Sequence, residues 1–145
     1  IDIQGENNVS LKSKWTKGPR TFIGMMVDDF PNMFMILGPH AALGNNPRSI
    51  EHNVEWISNF IDYMRKNNLT GAKAPANAVN EWHEFVSGKA ESLLSNDVDS
   101  WMTGINLNVE GKQTRTVVRY TGTAPEYRAR CDDVATNNFK ELHLF

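Results

Sequence analysis

The sequence predicts a mixed α/β fold with short strands and about three helices. Short apolar runs that end at glycine, proline or polar residues indicate the strands, whereas apolar residues spaced three and four apart indicate the helices. The chain has 145 residues, 40% of them hydrophobic, which suits one modest domain.

Two strands are predicted near the N-terminus. Residues 21–27 form an apolar run that Asp28 interrupts. Residues 33–37 form a second run, and its continuous apolar character is typical of a strand covered on both faces. Gly38 ends this run. The β-branched residues of segment 114–120 could form a third strand.

The clearest helix is predicted over residues 47–66, after an Asn46 cap. Pro47 suits the first turn, because the N–H that proline lacks would be unpaired there. One predicted face carries apolar residues at steps of three and four: Ile50, Val54, Ile57, Ile61 and Met64, widened by Trp56, Phe60 and Tyr63.

Two further helices are predicted from the same periodicity. The first spans residues 78–95, and its apolar side consists of Val79, Trp82, Phe85, Val86, Ala90 and Leu93. The second spans 124–137, with Tyr127, Cys131 and Val134 on one stripe. Cys131 is expected to behave there as a small buried hydrophobic residue.

Composition excludes several classes of function. The net charge of −2, without clustered Lys and Arg, argues against a nucleic-acid partner. No apolar run approaches the length of a membrane span, and no secretory signal is visible, so a cytoplasmic protein is predicted. The four histidines lack metal-binding spacing, and His40 is interpreted as a polar loop residue.

The loop between Gly38 and the predicted helix start is the best candidate site. A loop between the carboxyl end of a buried strand and a helix N-terminus is a common place to hold an anionic or dipolar ligand. The backbone N–H groups of Arg48 and Ser49 are expected to be unpaired donors there. The capping pattern alone favours the alternative, an ordinary helix start that binds nothing.

A series of short motifs extends along nearly the whole chain. In order they are Asp2-Ile3-Gln4-Gly5, Gly18-Pro19-Arg20-Thr21, Phe30-Pro31-Asn32, Gly38-Pro39, Ser49-Ile50-Glu51, Val54-Glu55-Trp56-Ile57, Ser100-Trp101, Gly111-Lys112 and Tyr127-Arg128. In this order and spacing the chain resembles the Baeyer–Villiger monooxygenases, flavoproteins of the cyclohexanone and phenylacetone monooxygenase kind. It contains neither of the two GxGxxG turns of such enzymes, nor their fingerprint between the nucleotide domains.

The resemblance therefore implies the C-terminal third or quarter of a flavoprotein with two dinucleotide-binding domains. Residues 1–48 correspond to the terminal strands and loop of the FAD-binding domain. Residues 49–145 correspond to a C-terminal helical segment with a loop that covers cofactor and substrate. The remainder of the FAD- and NADP-binding chain is then the expected partner.

The resemblance also implies site residues, although no catalytic residue, because the family's catalytic arginine lies outside this chain. Cofactor contacts are expected from Asn45, Asn46, Pro47, Trp101 and Asn106. Substrate contacts are expected from Leu43, Gly44 and Asn46. Asn46 stands where such enzymes often carry Leu or Met, which suggests a polar group near the flavin. The alternatives are plain packing for Leu43 and a core tryptophan for Trp101.

The implied activity uses FAD, NADPH and O2 to convert a ketone into an ester or lactone. In this class the cofactors carry the chemistry, and the protein supplies position and electrostatics. Two other hypotheses stay open at this point. One is a non-enzymatic α/β binding or interaction module derived from such an enzyme, and the other is a flavin monooxygenase that oxidises nitrogen or sulfur.

Overall fold

A computed structural model describes residues 2–42, 44–91, 99, 103–106, 108–109 and 114–145. The helices are α1 (Leu11–Lys14), α2 (Asn46–Lys66), α3 (Ala76–Ala90) and α4 (Ala124–Thr136), and a 3-10 turn spans Glu6–Asn8. Strands β1 (Ala72–Lys73) and β2 (His143–Leu144) pair antiparallel, with Ala72 opposite Leu144. The predicted mixed fold of short strands and about three long helices is confirmed.

Helix α2 forms where the sequence predicts it but buries a different face. Its buried residues are Ser49, Asn53, Trp56, Phe60 and Met64. Ile50 and Val54, which were expected inside, are 40% and 42% exposed. The predicted stripe is therefore wrong at its N-terminal end, because the buried position there is occupied by a hydrogen-bonded Asn53 rather than by an apolar residue.

The predicted strand over residues 21–27 is a tight turn. Phe22 and Met26 exchange backbone hydrogen bonds of 2.8 and 3.2 Å around Ile23 and Gly24, whose φ angles are 43° and 70°. A Cβ at Gly24 would lie 2.6 Å from the backbone nitrogen of Ala41, so glycine is required here. The run is apolar because the turn is buried in the core, not because it joins a sheet.

The predicted strand over residues 33–37 is a loop. The N–H of Met35 donates to the carbonyl of Met25 at 2.8 Å, so the loop bonds to the buried turn instead of a neighbouring strand. Leu37 has a φ of 51°, and Ile36 is 51% exposed. Segment 114–120 is not a strand either, since its sheet-like pairing is limited to one parallel bridge between Tyr120 and Ala42.

Helices α3 and α4 agree well with their predictions. The buried residues of α3 include Val79, Trp82, Val86 and Ala90, whereas Phe85 is 43% exposed. The predicted end of this helix, with Leu93, lies outside the described residues. In α4 all three predicted core residues are buried, and burial raises the pKa of the Cys131 thiol to about 12, so the thiol stays neutral.

The core joins α2, α4 and the C-terminal segment through aromatic side chains. The rings of Phe60 and Phe139 lie 4.4 Å apart between centroids, and Trp56 packs edge-on against Phe139 at 5.5 Å. The indole N–H of Trp56 also donates to the carbonyl of Cys131 at 2.9 Å. These contacts fix the orientation of α2, and hence the position of its N-terminus, against α4.

Among the described residues, no helix combines the length and the apolar character needed to cross a bilayer. The same residues hold no group of three or more His, Cys, Asp or Glu side chains placed to bind a metal ion.

Candidate functional site

The N-terminus of α2 is capped by Asn45 rather than by Asn46. The side-chain oxygen of Asn45 accepts a hydrogen bond from the Arg48 N–H at 3.2 Å, and its carbonyl accepts from the Ser49 N–H at 3.0 Å. Asn45 has extended backbone angles, as a cap requires, whereas Asn46 is already helical. The expectation that Arg48 and Ser49 are free donors is therefore wrong, because the cap uses both.

Asn46 is the residue of this turn whose polar groups are available to a ligand. Its side chain is exposed, and its backbone N–H has no hydrogen-bond partner among the described residues. The 21-residue helix carries no acidic residue in its first turn. The partial positive charge of the helix N-terminus is therefore not neutralised by its own side chains, and the turn suits an anionic or dipolar acceptor.

The loop before the helix leaves room beside Asn46. Gly44 is exposed, and a Cβ at this position would meet no atom of the described residues within 4 Å, its chain neighbours aside. Pro47 is also exposed and lies in the first turn, as expected. The structure thus places Gly44, Asn45, Asn46 and Pro47 together on an open edge, whereas Leu43 lies outside the described residues.

Below this edge, a buried hydrogen-bond network connects three parts of the chain. The side-chain oxygen of Asn53 accepts from the Leu37 N–H at 3.1 Å, and its amide nitrogen donates to the Tyr127 hydroxyl at 3.3 Å. That hydroxyl donates in turn to the Ile23 carbonyl at 2.7 Å. This network was not predicted from the sequence. Its one visible signal is an asparagine among the apolar residues of an amphipathic helix.

His40 anchors the other side of the loop. The ring is fully buried, its Nε2 donates to the Val117 carbonyl at 2.8 Å, and its backbone N–H donates to the Val118 carbonyl at 3.1 Å. Burial lowers the pKa of His40 to about 4, so the imidazole is neutral near pH 7. His40 is therefore a buried polar residue that holds the loop in place through its hydrogen bonds.

The second predicted region is only partly described. Trp101 lies outside the described residues. Asn106 is exposed, and its side-chain oxygen accepts from the Asn108 N–H at 3.1 Å, which forms a local turn. Nearby, a cavity of about 240 Å³ lies between the end of α3 and segment 115–121, with Thr103, Arg119 and Thr121 in its lining. No hydrogen bond between described residues joins Asn106 to the start of α2.

Comparison with known proteins assigns this architecture to a family. The chain is 39% identical to a cyclohexanone 1,2-monooxygenase from an Acinetobacter species over 142 residues, which are 96% of this chain and 26% of that protein. It is 32% identical to a Baeyer–Villiger monooxygenase from Pseudooceanicola batsensis over 98% of this chain. This chain belongs to the Baeyer–Villiger monooxygenase family. No family profile matches it.

The fold of this Baeyer–Villiger chain agrees with solved structures. It superposes on cyclohexanone monooxygenase from Rhodococcus sp. Phi1, which was crystallised with NADP+, with a TM-score of 0.92 and 33% identity over 99% of this chain. It superposes on a closed form of cyclohexanone monooxygenase with a TM-score of 0.93. In each case it spans only about a quarter of the other chain, 27% in both.

Proposed function

We propose that the intact protein is a FAD- and NADPH-dependent monooxygenase that inserts one oxygen atom from O2 into a ketone to give an ester or lactone. The observation that carries the proposal is the agreement with cyclohexanone monooxygenases in both sequence and fold over essentially the whole chain. A related structure, OTEMO, was solved in complex with FAD and NADP and superposes with a TM-score of 0.88. The predicted cytoplasmic location stays a prediction.

In the intact enzyme the chain would be the C-terminal quarter. Residues 1–48 would complete the FAD-binding domain, and residues 49–145 would form the helical segment that covers cofactor and substrate. The rest of the FAD- and NADP-binding chain would be the partner of the open edge around Gly44 and Asn46. This arrangement gives a role to the exposed Ile50 and Val54 on α2, which would pack against that partner.

The start of α2 fits the flavin. The Asn46 N–H has no acceptor among the described residues, and the first turn of α2 holds no acidic side chain. Both features favour the negative charge that reduced flavin carries. When bound, FAD and NADPH supply the redox chemistry. The contribution of this chain would be to position and to stabilise charge, with Asn45 and Pro47 holding the turn and Asn46 donating from it.

The substrate would lie beside the same turn. Gly44 leaves open space, and the Asn46 carboxamide offers a polar group at its edge, so a ketone with a polar substituent is favoured. Leu43 as a substrate contact, and Trp101 and Asn106 as cofactor contacts, stay predictions. No residue of this chain is assigned a catalytic role.

Oxidation of nitrogen is the second candidate function. The chain is 32% identical over 144 residues to a phenazine N-monooxygenase from Lysobacter antibioticus, and it is also 32% identical to an acetone monooxygenase from a Gordonia species. Flavin-dependent oxidation of an amine or sulfide uses the same cofactors, so the substrate panel must include both. The agreement with named monooxygenases over essentially the whole chain favours an enzyme over the non-enzymatic module.

The experiment is a turnover assay on the purified intact protein. A flavin absorbance spectrum is expected, together with NADPH oxidation that cyclohexanone stimulates and a lactone product identified by mass spectrometry. An aromatic amine and a sulfide serve as comparison substrates. Stimulation by the amine without conversion of any ketone would overturn the proposed reaction in favour of nitrogen oxidation.

A further inference from the structure

The side chain of Asn53 connects the two ends of the loop that carries the candidate site. Leu37 lies at the start of this loop, and Asn53 follows the cap Asn45 by about two helical turns. The 3.1 Å bond from the Leu37 N–H to Asn53 therefore fixes the start of the loop against the helix on which the loop ends. Asn53 is only 1% exposed, so water does not compete for this bond.

The same network holds two residues in an unfavourable backbone conformation. Leu37 and Ile23 have φ angles of 51° and 43°, in the left-handed region that branched and bulky residues rarely adopt. Such conformations persist only where the surroundings over-determine them. Here Leu37 donates to Asn53, and Ile23 accepts from Tyr127, so one connected network restrains both.

Tyr127 makes the network continuous between α2 and α4. Its hydroxyl accepts from Asn53 and donates to Ile23, and the residue is 2% exposed. Burial raises the pKa of the Tyr127 phenol, so its proton remains available for donation. All of these contacts are internal to the described residues and need no other part of the protein.

We infer that Asn53 and Tyr127 are positioning residues that fix residues 37–42 against α2, and thereby set the location of Gly44 and Asn46 at the reaction site. The part of this inference that concerns the reaction rests on the proposed function. Displacement of positioned groups by about 1 Å can cost about a hundredfold in rate. If the loop were less well fixed, more NADPH would be consumed without transfer of oxygen to the ketone.

The test uses the intact enzyme with Asn53→Leu, Tyr127→Phe and the control Tyr63→Phe. Tyr63 also lies on α2 and donates its hydroxyl to a backbone carbonyl, that of Asn138 at 3.3 Å. Among the described residues, no hydrogen bond or ring contact joins it to residues 37–42. Two quantities are measured: ester formed per NADPH consumed, and hydrogen exchange of backbone amides in residues 33–42. Partial unfolding reduces the amount of active enzyme, but does not change the product formed per NADPH.

Asn53→Leu is expected to lower ester per NADPH by about tenfold, the effect of one buried hydrogen bond, and to speed exchange in residues 33–42. Tyr127→Phe should change both quantities in the same direction, and Tyr63→Phe should change neither. If Asn53→Leu cannot be purified, Tyr127→Phe alone tests the inference. It removes only the hydroxyl oxygen and is therefore the smaller change to the core.

Unchanged exchange in both variants would overturn the anchoring of the loop. Faster exchange with unchanged ester per NADPH would overturn its role in the reaction. A wild-type enzyme that converts no ketone would contradict the proposed function instead, and the exchange measurement would still decide whether the network anchors the loop.

Discussion

The side-chain oxygen of Asn45 accepts a hydrogen bond from the backbone N–H of Arg48 at 3.2 Å, so Asn45 and its neighbour Asn46 have different roles at the start of α2. Asn45 caps α2, whereas Asn46 is left with an exposed side chain and a backbone N–H that no described residue accepts. The stability of the helix start and its contact with a ligand can therefore be altered separately by mutation.

Replacing the side chain of Asn46 should change substrate preference but not flavin binding. In Asn46→Leu the backbone N–H remains, while the polar group beside the proposed ketone site is lost. Preference should shift toward less polar ketones by tenfold or more, in line with about 1–3 kcal/mol for such pocket changes. Steady-state kinetics of the intact enzyme on a ketone panel measure the shift. An unchanged ranking of ketones at unchanged FAD content would mean that Asn46 does not face the substrate.

Removing the cap should destabilise the protein. Asn45→Ala leaves the Arg48 N–H without its side-chain acceptor, which should lower the free energy of unfolding by about 1 kcal/mol. Asn46→Ala is the matched control and should stay within about 0.5 kcal/mol of wild type. Chemical denaturation of the intact protein, followed by tryptophan fluorescence, compares the two. Equal losses in both variants would argue against Asn45 as the cap.

Acid should weaken the anchoring of the loop through His40. Burial lowers the pKa of His40 from 6.5 to about 4, so the unfolded chain binds a proton that the folded chain does not between these values. Stability is therefore complete above pH 6.5 and falls as the pH is lowered toward 4, by about 3 kcal/mol in total for this one group.

His40→Gln keeps a donor for the Val117 carbonyl but cannot titrate. Its melting temperature should therefore fall less than that of wild type between pH 6.5 and 4. The lowered pKa values of His52 and His83 act in the same direction and remain in the variant. Parallel pH profiles for the two proteins would show that His40 is not the titrating group.

The chain on its own should bind neither FAD nor NADPH tightly. It lacks the glycine-rich turns that supply the main phosphate contacts of a dinucleotide, and Asn46 offers only one backbone donor at the helix start. Titration of the 145-residue chain with FAD, followed by quenching of flavin fluorescence, measures this. Saturable binding at low micromolar concentration would contradict the expectation.

The helices could be predicted from the sequence, and the loops between them could not. The periodicity around Tyr127, Cys131 and Val134 identifies α4 because these residues, spaced four and three apart, lie on the face of the helix that is buried in the core. The apolar runs at residues 21–27 and 33–37 have the sequence pattern of strands. In the structure their backbone groups bond to one another, and Ile23 and Leu37 adopt positive φ angles. No local pattern reveals such long-range pairing.

The sequence pattern locates the loop and helix start of the candidate site, whereas it does not indicate the residues that support this loop. Asn45, Asn46 and Pro47 lie at a helix start, and a capping pattern is visible in the sequence. Asn53 occupies a buried position that apolar periodicity assigns to Ile50 or Val54. Its burial depends on partners 16 and 74 residues away, which only the folded chain brings together.

The proposed oxygen insertion is tested most directly by isotope incorporation. The intact protein is incubated with cyclohexanone, NADPH and isotopically labelled O2, and the product is analysed by mass spectrometry. The account predicts a lactone that carries one labelled oxygen atom, formed only when NADPH and the bound flavin are both present. Recovery of unchanged ketone from an enzyme that contains flavin and consumes NADPH, or a lactone without label, would contradict it.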